Sequence, residues 1–427
     1  MADNINLRNL TLTMLLEVEE SRKSHLVLSE TLNAHSDLGK QERAFVTRLF
    51  QGTIERQIEL DYIIDSFSKT KVKKMKPVIR NILRMSVYQL KYMDSVPESA
   101  VVNEAVKLAT KRKFAGLKGF VNGVLRTIAR EIDNLKLPTD IIDKLSVEYS
   151  VPRWIIEMWN EQYGEDVTKD ILDGLYAHDD ATTVRINTLH ASADDVITNL
   201  EFNGVKVEKS DIDGVIFISG YDNLARLDVF KAGMIIPQDY SSCLVGTSAD
   251  DKPESYVIDV CAAPGGKSMN IANLMNGEGV VEARDLSEQK VKLIEENIER
   301  CGYKNIKTKV QDATALDEDA IEQADLVIAD LPCSGLGVMG HKVDIKYNVT
   351  SEGIEDLIKL QREILDVVSQ YVKPGGELIY STCTINKREN EENSRYIEEL
   401  GFEKIEEQQL MPNAKQDGFY ICKLVKQ

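Results

Sequence analysis

No stretch of this 427-residue chain approaches the ~20 consecutive apolar residues needed to cross a bilayer. Met1 to Arg8 carries both charge signs and no signal-type apolar core, so a cytoplasmic protein without membrane attachment is expected. Histidine is scarce, with five scattered residues, and none of the six cysteines has Cys-x-x-Cys spacing. That pattern gives no metal site and no disulfide framework, and it fits a reducing compartment. Two phosphate-binding fingerprints are missing as well. There is no Gly-x-Gly-x-x-Gly, and the nearest approach to a Walker A loop has Cys261 where the first glycine belongs. No internal repeat or low-complexity tract is present.

What is there divides unevenly along the chain. Its length implies two or three domains. The net charge is −18, yet residues 1–130 sum to +8 and residues 131–427 to −26. Within 69–130, 15 basic residues face 3 acidic ones. Such a segment can bind phosphates through local contacts whatever the total charge. It could equally dock on an acidic neighbour, and composition alone leaves both open.

Apolar positions such as Leu7, Leu10, Met14, Leu15 and Val18 recur at helical spacing, as do Phe45, Leu49, Ile54 and Ile58. The reading over 1–132 is an all-α domain, followed by a linker at Leu137-Pro138. A small α+β module over 138–235 follows, with helices near 139–149, 152–163 and 166–176 and strands at 182–186, 205–208 and 215–219. From 236 to 427 strand and helix alternate. Strands are expected at 256–260, 279–284, 306–310, 325–330 and 376–381, with closing strands near 402–406 and 418–424. Helices are expected at 267–275, 287–300, 352–371 and 389–399. This is a Rossmann-like, doubly wound α/β domain of seven strands.

The first strand of that domain runs into Cys261-Ala262-Ala263-Pro264-Gly265-Gly266-Lys267. The glycines permit a tight turn and a close backbone approach to a ligand at a helix start. Asp285 follows the second strand, where it can hold a ribose hydroxyl pair. A nucleoside-bearing cofactor without pyrophosphate fits, and S-adenosylmethionine is the natural choice. Asp312, after the third strand, would face its adenine. Asp330, after the fourth, would face its methionine end or the reacting base. Any one of these aspartates alone reads as a strand-end or helix-cap carboxylate. Three after successive strands, with a glycine turn after the first, read as a ligand site.

Cys333 in Asp330-Leu-Pro-Cys-Ser-Gly335 and Cys383 in Ser381-Thr-Cys-Thr384 each follow a strand, 50 residues apart. Free cysteines are ordinarily buried packing residues, and Cys243, Cys301 and Cys422 are read so. Two thiols at the carboxyl ends of strands in one sheet open into a common crevice and suit covalent catalysis. Cytosine C5 is a poor nucleophile until a thiolate adds at C6. Thiolate is both a good nucleophile and a competent leaving group, and a carboxyl group at N3, here Asp330, would assist the addition. Chemistry alone leaves open which of the two sulfurs attacks.

Nearly the whole chain resembles the NOL1/NOP2/Sun family of RNA cytosine-C5 methyltransferases, in the bacterial Sun/RsmB-type form with an N-terminal NusB-like domain. The match is carried by Cys261–Lys267, Asp330–Gly335, Asp344-Ile-Lys346, Lys373-Pro-Gly-Gly376, Ser381–Thr384 and Glu389-Asn390. Arg185-Ile-Asn-Thr188 and Pro237-Gln238-Asp239 with Ser241-Ser242 add to it. The resemblance implies Cys383 as nucleophile and Cys333 in product release. It also implies S-adenosylmethionine contacts from Cys261–Lys267, Asp285, Asp312 and Asp330, with no metal. The substrate implied is one cytosine of 16S rRNA, with no obligate protein partner expected. Because C5 and C6 lie within the stack of a duplex, the base must be unstacked, so naked rRNA or an early small-subunit assembly intermediate is expected. The chain departs from the family at Gly340 and His341, where two arginines are usual, and at Val343, where proline is usual. Lys387-Arg388 replaces the common Pro-Glu. Lys342, Lys346, Lys387 and Arg388 are the cations expected to make up lost RNA phosphate contacts. Those departures also support a rival reading, an RNA-binding assembly factor with a degenerate methyltransferase domain.

Overall fold

The computed structural model describes residues 5–177, 181–249 and 254–427. They form two compact units, Met1–Thr168 with His341–Asn348, and Lys169–Gly340 with Val349–Gln427. Among the described residues, no helix is long and apolar enough to cross a membrane.

The first unit is helical: α1 (Leu7–Glu19), α2 (Ser24–Ala34), α3 (Lys40–Glu55), α4 (Gln57–Phe67), α5 (Pro77–Tyr92), α6 (Glu98–Lys111), α7 (Lys118–Glu131), α8 (Ile141–Glu148), α9 (Arg153–Tyr163) and the start of α10 (Glu165–Leu175). Local chemistry sets its boundaries. Asn6 caps α1 by accepting from the Asn9 amide at 2.8 Å, and Pro77 opens α5, where no amide hydrogen is needed. The periodic apolar stripes converge on a core that includes Leu12, Phe50, Ile63, Ile82 and Leu125, all fully buried.

The second unit begins with an antiparallel four-stranded sheet of β1 (Thr182–Ile186), β2 (Lys206–Lys209), β3 (Val215–Ser219) and β4 (Ile235–Pro237), in the order β2-β3-β1-β4. Helices α11 (Ala193–Phe202) and α12 (Asp228–Lys231) accompany it. The strand-and-helix reading of the sequence did not anticipate α11 or β4. The helix is capped by Ser192 and buries only Val196 and Leu200, and the strand is three residues long.

The chain continues through α13 (Tyr240–Thr247), β5 (Tyr256–Asp259), α14 (Gly266–Leu274), β6 (Val280–Asp285), α15 (Glu288–Cys301), β7 (Ile306–Val310) and β8 (Ala324–Asp330). It then passes α16 (Ile345–Asn348) and α17 (Ser351–Val368) and closes with β9 (Val372–Thr382), α18 (Glu391–Glu399), β10 (Phe402–Leu410) and β11 (Phe419–Lys426). The sheet order is β10-β11-β9-β8-β5-β6-β7, with β5 to β9 parallel and β10 and β11 antiparallel. This is the seven-stranded Rossmann-like domain expected. The parallel strands are near-continuous apolar runs because both faces are covered. Val257 and Ile328 lie in one layer of the core, Ile258 and Val327 in the other. Strand order reverses at β5, between β6 and β8, and ligands of open α/β sheets bind at such a switch point.

Residues 341–348 leave the α/β part of the sequence and belong to the helical unit. Val343 is buried in the helical core. Asp344 accepts from the Ser24 amide at 3.0 Å and the Ser24 hydroxyl at 2.6 Å, at the start of α2. Lys23 at that N-cap supplies no side-chain cap of its own. Lys346 donates to the Glu55 carbonyl at 2.8 Å, and burial pushes its ammonium down to about 7. The expectation that Lys346 meets RNA phosphate is therefore corrected: the residue is 3% exposed and donates to a carbonyl inside the helical unit. Arg388, another of the expected phosphate contacts, pairs through both nitrogens with Glu355.

Candidate active site

The cofactor loop leaves β5 at its carboxyl end and turns into α14. Gly265 has φ +99°, and a side chain there would press on Ile294 at 3.1 Å, so the turn requires glycine. Asp285, buried at the end of β6, holds the loop from across the crevice. It accepts from the Ala263 amide at 3.0 Å and the Leu286 amide at 2.7 Å, and it pairs with Lys290 at 2.9 Å. Leu286 beside it is 61% exposed, an apolar face next to a ribose-type acceptor. Gly266 has no side chain to block the start of α14, and the nearest atoms to its vacant Cβ position belong to Gln238 at 3.6 Å. This cradle fits a nucleoside cofactor. Asp312 lies exposed just past β7, and one of its oxygens accepts from the Thr314 amide at 2.9 Å and hydroxyl at 2.7 Å. Cys261 is half-buried, and burial pushes its thiol up.

Lys267 and Asp330 meet across the switch point, Nζ to Oδ2 at 2.8 Å. Ser381 donates to the other oxygen of Asp330 at 2.8 Å, following the β8–β9 register that sets Asp330 opposite Ser381. Burial opposes the charge on Lys267. Asp330, with further contributions from Asp259 and Cys383, outweighs that penalty and raises the ammonium. Beneath the loop, burial pushes Asp259 up to about 7, although Ser268 donates to it at 2.6 Å.

Cys333 and Cys383 come together with their sulfurs 3.4 Å apart. Both are half-buried, whereas Cys243, Cys301 and Cys422 are buried. The hydrogen bond with Cys383, then burial, then the charges of Cys383 and Glu389, push the Cys333 thiol well above its usual range. Main-chain contacts fix the pair: Gly337 donates to the Cys383 carbonyl at 3.1 Å, and Gly418 to the Gly337 carbonyl at 3.0 Å.

One residue at the site had no role in the sequence reading. Glu389, fully buried, accepts from the Ser334 amide at 2.8 Å, the Ser334 hydroxyl at 2.6 Å, Asn386 at 2.8 Å and Gln361 at 3.2 Å. Gln361 on α17 also donates to the Pro332 carbonyl at 2.9 Å. Ser334 and Thr384 hydroxyls share a 2.7 Å bond. A single carboxylate thus binds the segment after Cys333 to the segment after Cys383. The only signal in the sequence was its place beside Asn390 in a quoted motif.

Known proteins match along the chain. Residues 247–425 match a family model described as 16S rRNA methyltransferase RsmB/F. Residues 5–130 match the NusB family, and residues 151–222 match a ferredoxin-like domain of RsmF/B-like methyltransferases. A probable ribosomal RNA small subunit methyltransferase B of Bacillus subtilis is 34% identical over 99% of both chains. A ribosomal RNA small subunit methyltransferase B of Shewanella oneidensis is 27% identical over 99% of both. Among solved structures, the crystal structure of PH0851 superposes with a TM-score of 0.84 at 26% identity over 99% of both chains. The structure of NSun6 from Pyrococcus horikoshii, at 23% identity, covers 64% of this chain and 98% of that one with a TM-score of 0.59, a likeness of fold.

Proposed function

The chain belongs to the RsmB/F family of S-adenosylmethionine-dependent 16S rRNA methyltransferases, and from that premise we propose that it methylates C5 of one cytosine in 16S rRNA through a covalent bond from Cys383 to C6. The observation that carries this reading is the sulfur pair, 3.4 Å apart, in the same crevice as the Lys267–Asp330 pair. The loop Cys261–Lys267 and Asp285 would hold S-adenosylmethionine, with Asp312 near its adenine. That cofactor supplies an electrophilic methyl group to the activated C5.

The remaining chemistry falls to the protein's own side chains. Cys383 as thiolate adds to C6 and loads electron density on C5. Asp330, oriented by Lys267 and Ser381, meets N3 of the base and favours the addition. Once a base takes the C5 proton, that bonding pair forms the C5–C6 double bond, the C6–S bond breaks with its pair returning to Cys383, and aromaticity is restored. Cys333, held as a thiol beside Cys383, assists this release. The target base has to be unstacked for both faces to be reached, which favours free rRNA or an early assembly intermediate in the cytoplasm over the finished subunit. The rival reading, an assembly factor with a degenerate catalytic domain, rests on Gly340 and His341. It gives no purpose to a fully bonded carboxylate holding two thiols in register.

RNA containing 5-fluorocytidine, which lacks the C5 proton, tests the scheme. The wild-type protein should form a stable adduct on Cys383, Cys383→Ala should form none and should not methylate, and Cys333→Ala should accumulate adduct on ordinary RNA. Normal methylation by Cys383→Ala would refute the proposal.

A further inference from the structure

We propose that Glu389, which touches none of the reacting atoms, is the positioning residue that makes Cys383 rather than Cys333 the attacking sulfur. The inference rests on the reading of Cys383 as nucleophile and explains how the protein imposes it. Two sulfurs 3.4 Å apart cannot both carry negative charge at modest cost, so when the pair ionises it keeps one proton and its surroundings decide which sulfur holds it. The surroundings differ in sign. Glu389 bonds the amide and hydroxyl of Ser334, the residue next to Cys333, and its charge raises the Cys333 thiol; its four donors suit the ionised, acceptor-only carboxylate. On the Cys383 side stands Lys267, whose ammonium interacts with that sulfur's charge. The carboxylate therefore holds the proton on Cys333, whose S–H points its hydrogen bond at Cys383 and leaves that sulfur as the anion.

Glu389 also sets the distance over which this works. Its bonds to Ser334 and Asn386 belong to the segments that follow the two cysteines, and its bond to Gln361 anchors both to α17. A plain brace would explain the bonds. It would not by itself make the two thiols differ in reactivity.

Thiol reactivity separates charge from bracing. The full-length protein, without RNA, is alkylated with iodoacetamide across a pH series, and the extent at each cysteine is read by peptide mass spectrometry. In the wild type, Cys383 should react at least tenfold faster than Cys333 near neutral pH, with Cys333 reacting only at pH above that of an ordinary thiol. In Glu389→Gln the preference should fall at least tenfold, with the Cys333 profile displaced to lower pH. Gln361→Leu, which removes a brace and keeps the charge, should retain the preference. An unchanged ratio and profile in Glu389→Gln would overturn the inference, and so would an ordinary pH profile for Cys333 in the wild type, a measurement that needs no variant. Mapping the 5-fluorocytidine adduct keeps the two ideas apart. An adduct on Cys333 defeats the nucleophile assignment itself, whereas an adduct on Cys383 with an unchanged Glu389→Gln ratio defeats only the role of Glu389.

Discussion

Replacing Asp344 with alanine tests whether residues 341–348 are a structural part of the helical unit. In the native protein this carboxylate accepts both the amide and the hydroxyl of Ser24, and both residues are buried. Losing a cap of this kind costs about 1 kcal/mol. Leaving the buried Ser24 amide with no acceptor adds roughly 1–3 kcal/mol. For a unit of this size each kcal/mol lowers the melting temperature by roughly 2–4 °C. The unfolding transition of the helical unit should therefore fall by about 4–16 °C in Asp344→Ala. Asp344→Asn, which keeps an acceptor, should fall by about half as much. Thermal unfolding followed by circular dichroism gives the shift, and hydrogen exchange at the α2 amides locates it. A melting temperature within 1 °C of wild type, with α2 exchange unchanged, would refute the reasoning.

Three further outcomes follow from the geometry. Asp285→Ala removes the acceptor shared by the Ala263 and Leu286 amides, and S-adenosylmethionine affinity by calorimetry should drop at least tenfold; an unaltered Kd would count against the cofactor assignment. Gly337→Ala would place a methyl group 1.9 Å from the Gly418 carbonyl oxygen and 2.9 Å from that of Cys383. Methyl transfer should fall by about 100-fold or more, an order-of-magnitude expectation for a displaced catalytic group, while donor affinity stays within about twofold; full activity would show that the segment tolerates the shift. Lys346 titrates at about 7 when folded and at 10.5 in a model peptide, so between these values the unfolded chain binds the extra proton. Through this group the helical unit gains stability as pH rises from 7 to 10.5, and it carries the full penalty below 7. Lys346→Met should flatten that slope in denaturant titrations, and an identical slope would remove the buried ammonium from the account.

Much of the fold was legible because its signals are local. Strands such as Tyr256–Asp259 and Ala324–Asp330 are short apolar runs that end in an acidic residue, and the glycine turn after β5 announces itself. The start of β9 was harder: a strand was expected only from 376, yet β9 begins at Val372, and its register against β8 shifts across Pro374-Gly375-Gly376. That both cysteine loops open at one crevice was legible from strand order. Their near-contact was not, since it depends on Glu389 and Gln361, whose partners lie 55 and 29 residues away in sequence. A buried carboxylate accepting four hydrogen bonds looks, in a sequence, like any helix-start glutamate. Least legible of all was the union of Asp344 with Ser24, 320 residues apart, which no periodicity or composition could reveal.

The eight residues from His341 to Asn348 bear on how such a protein can be cut or recombined. The helical fold is completed by side chains encoded far downstream, so its gene segment is not a self-sufficient cassette. A fragment starting at Lys169 would carry Val343 and Tyr347 with nothing to cover them, and a foreign helical module spliced on at one junction would lack a socket for them. Exchange at this architecture calls for two coordinated edits.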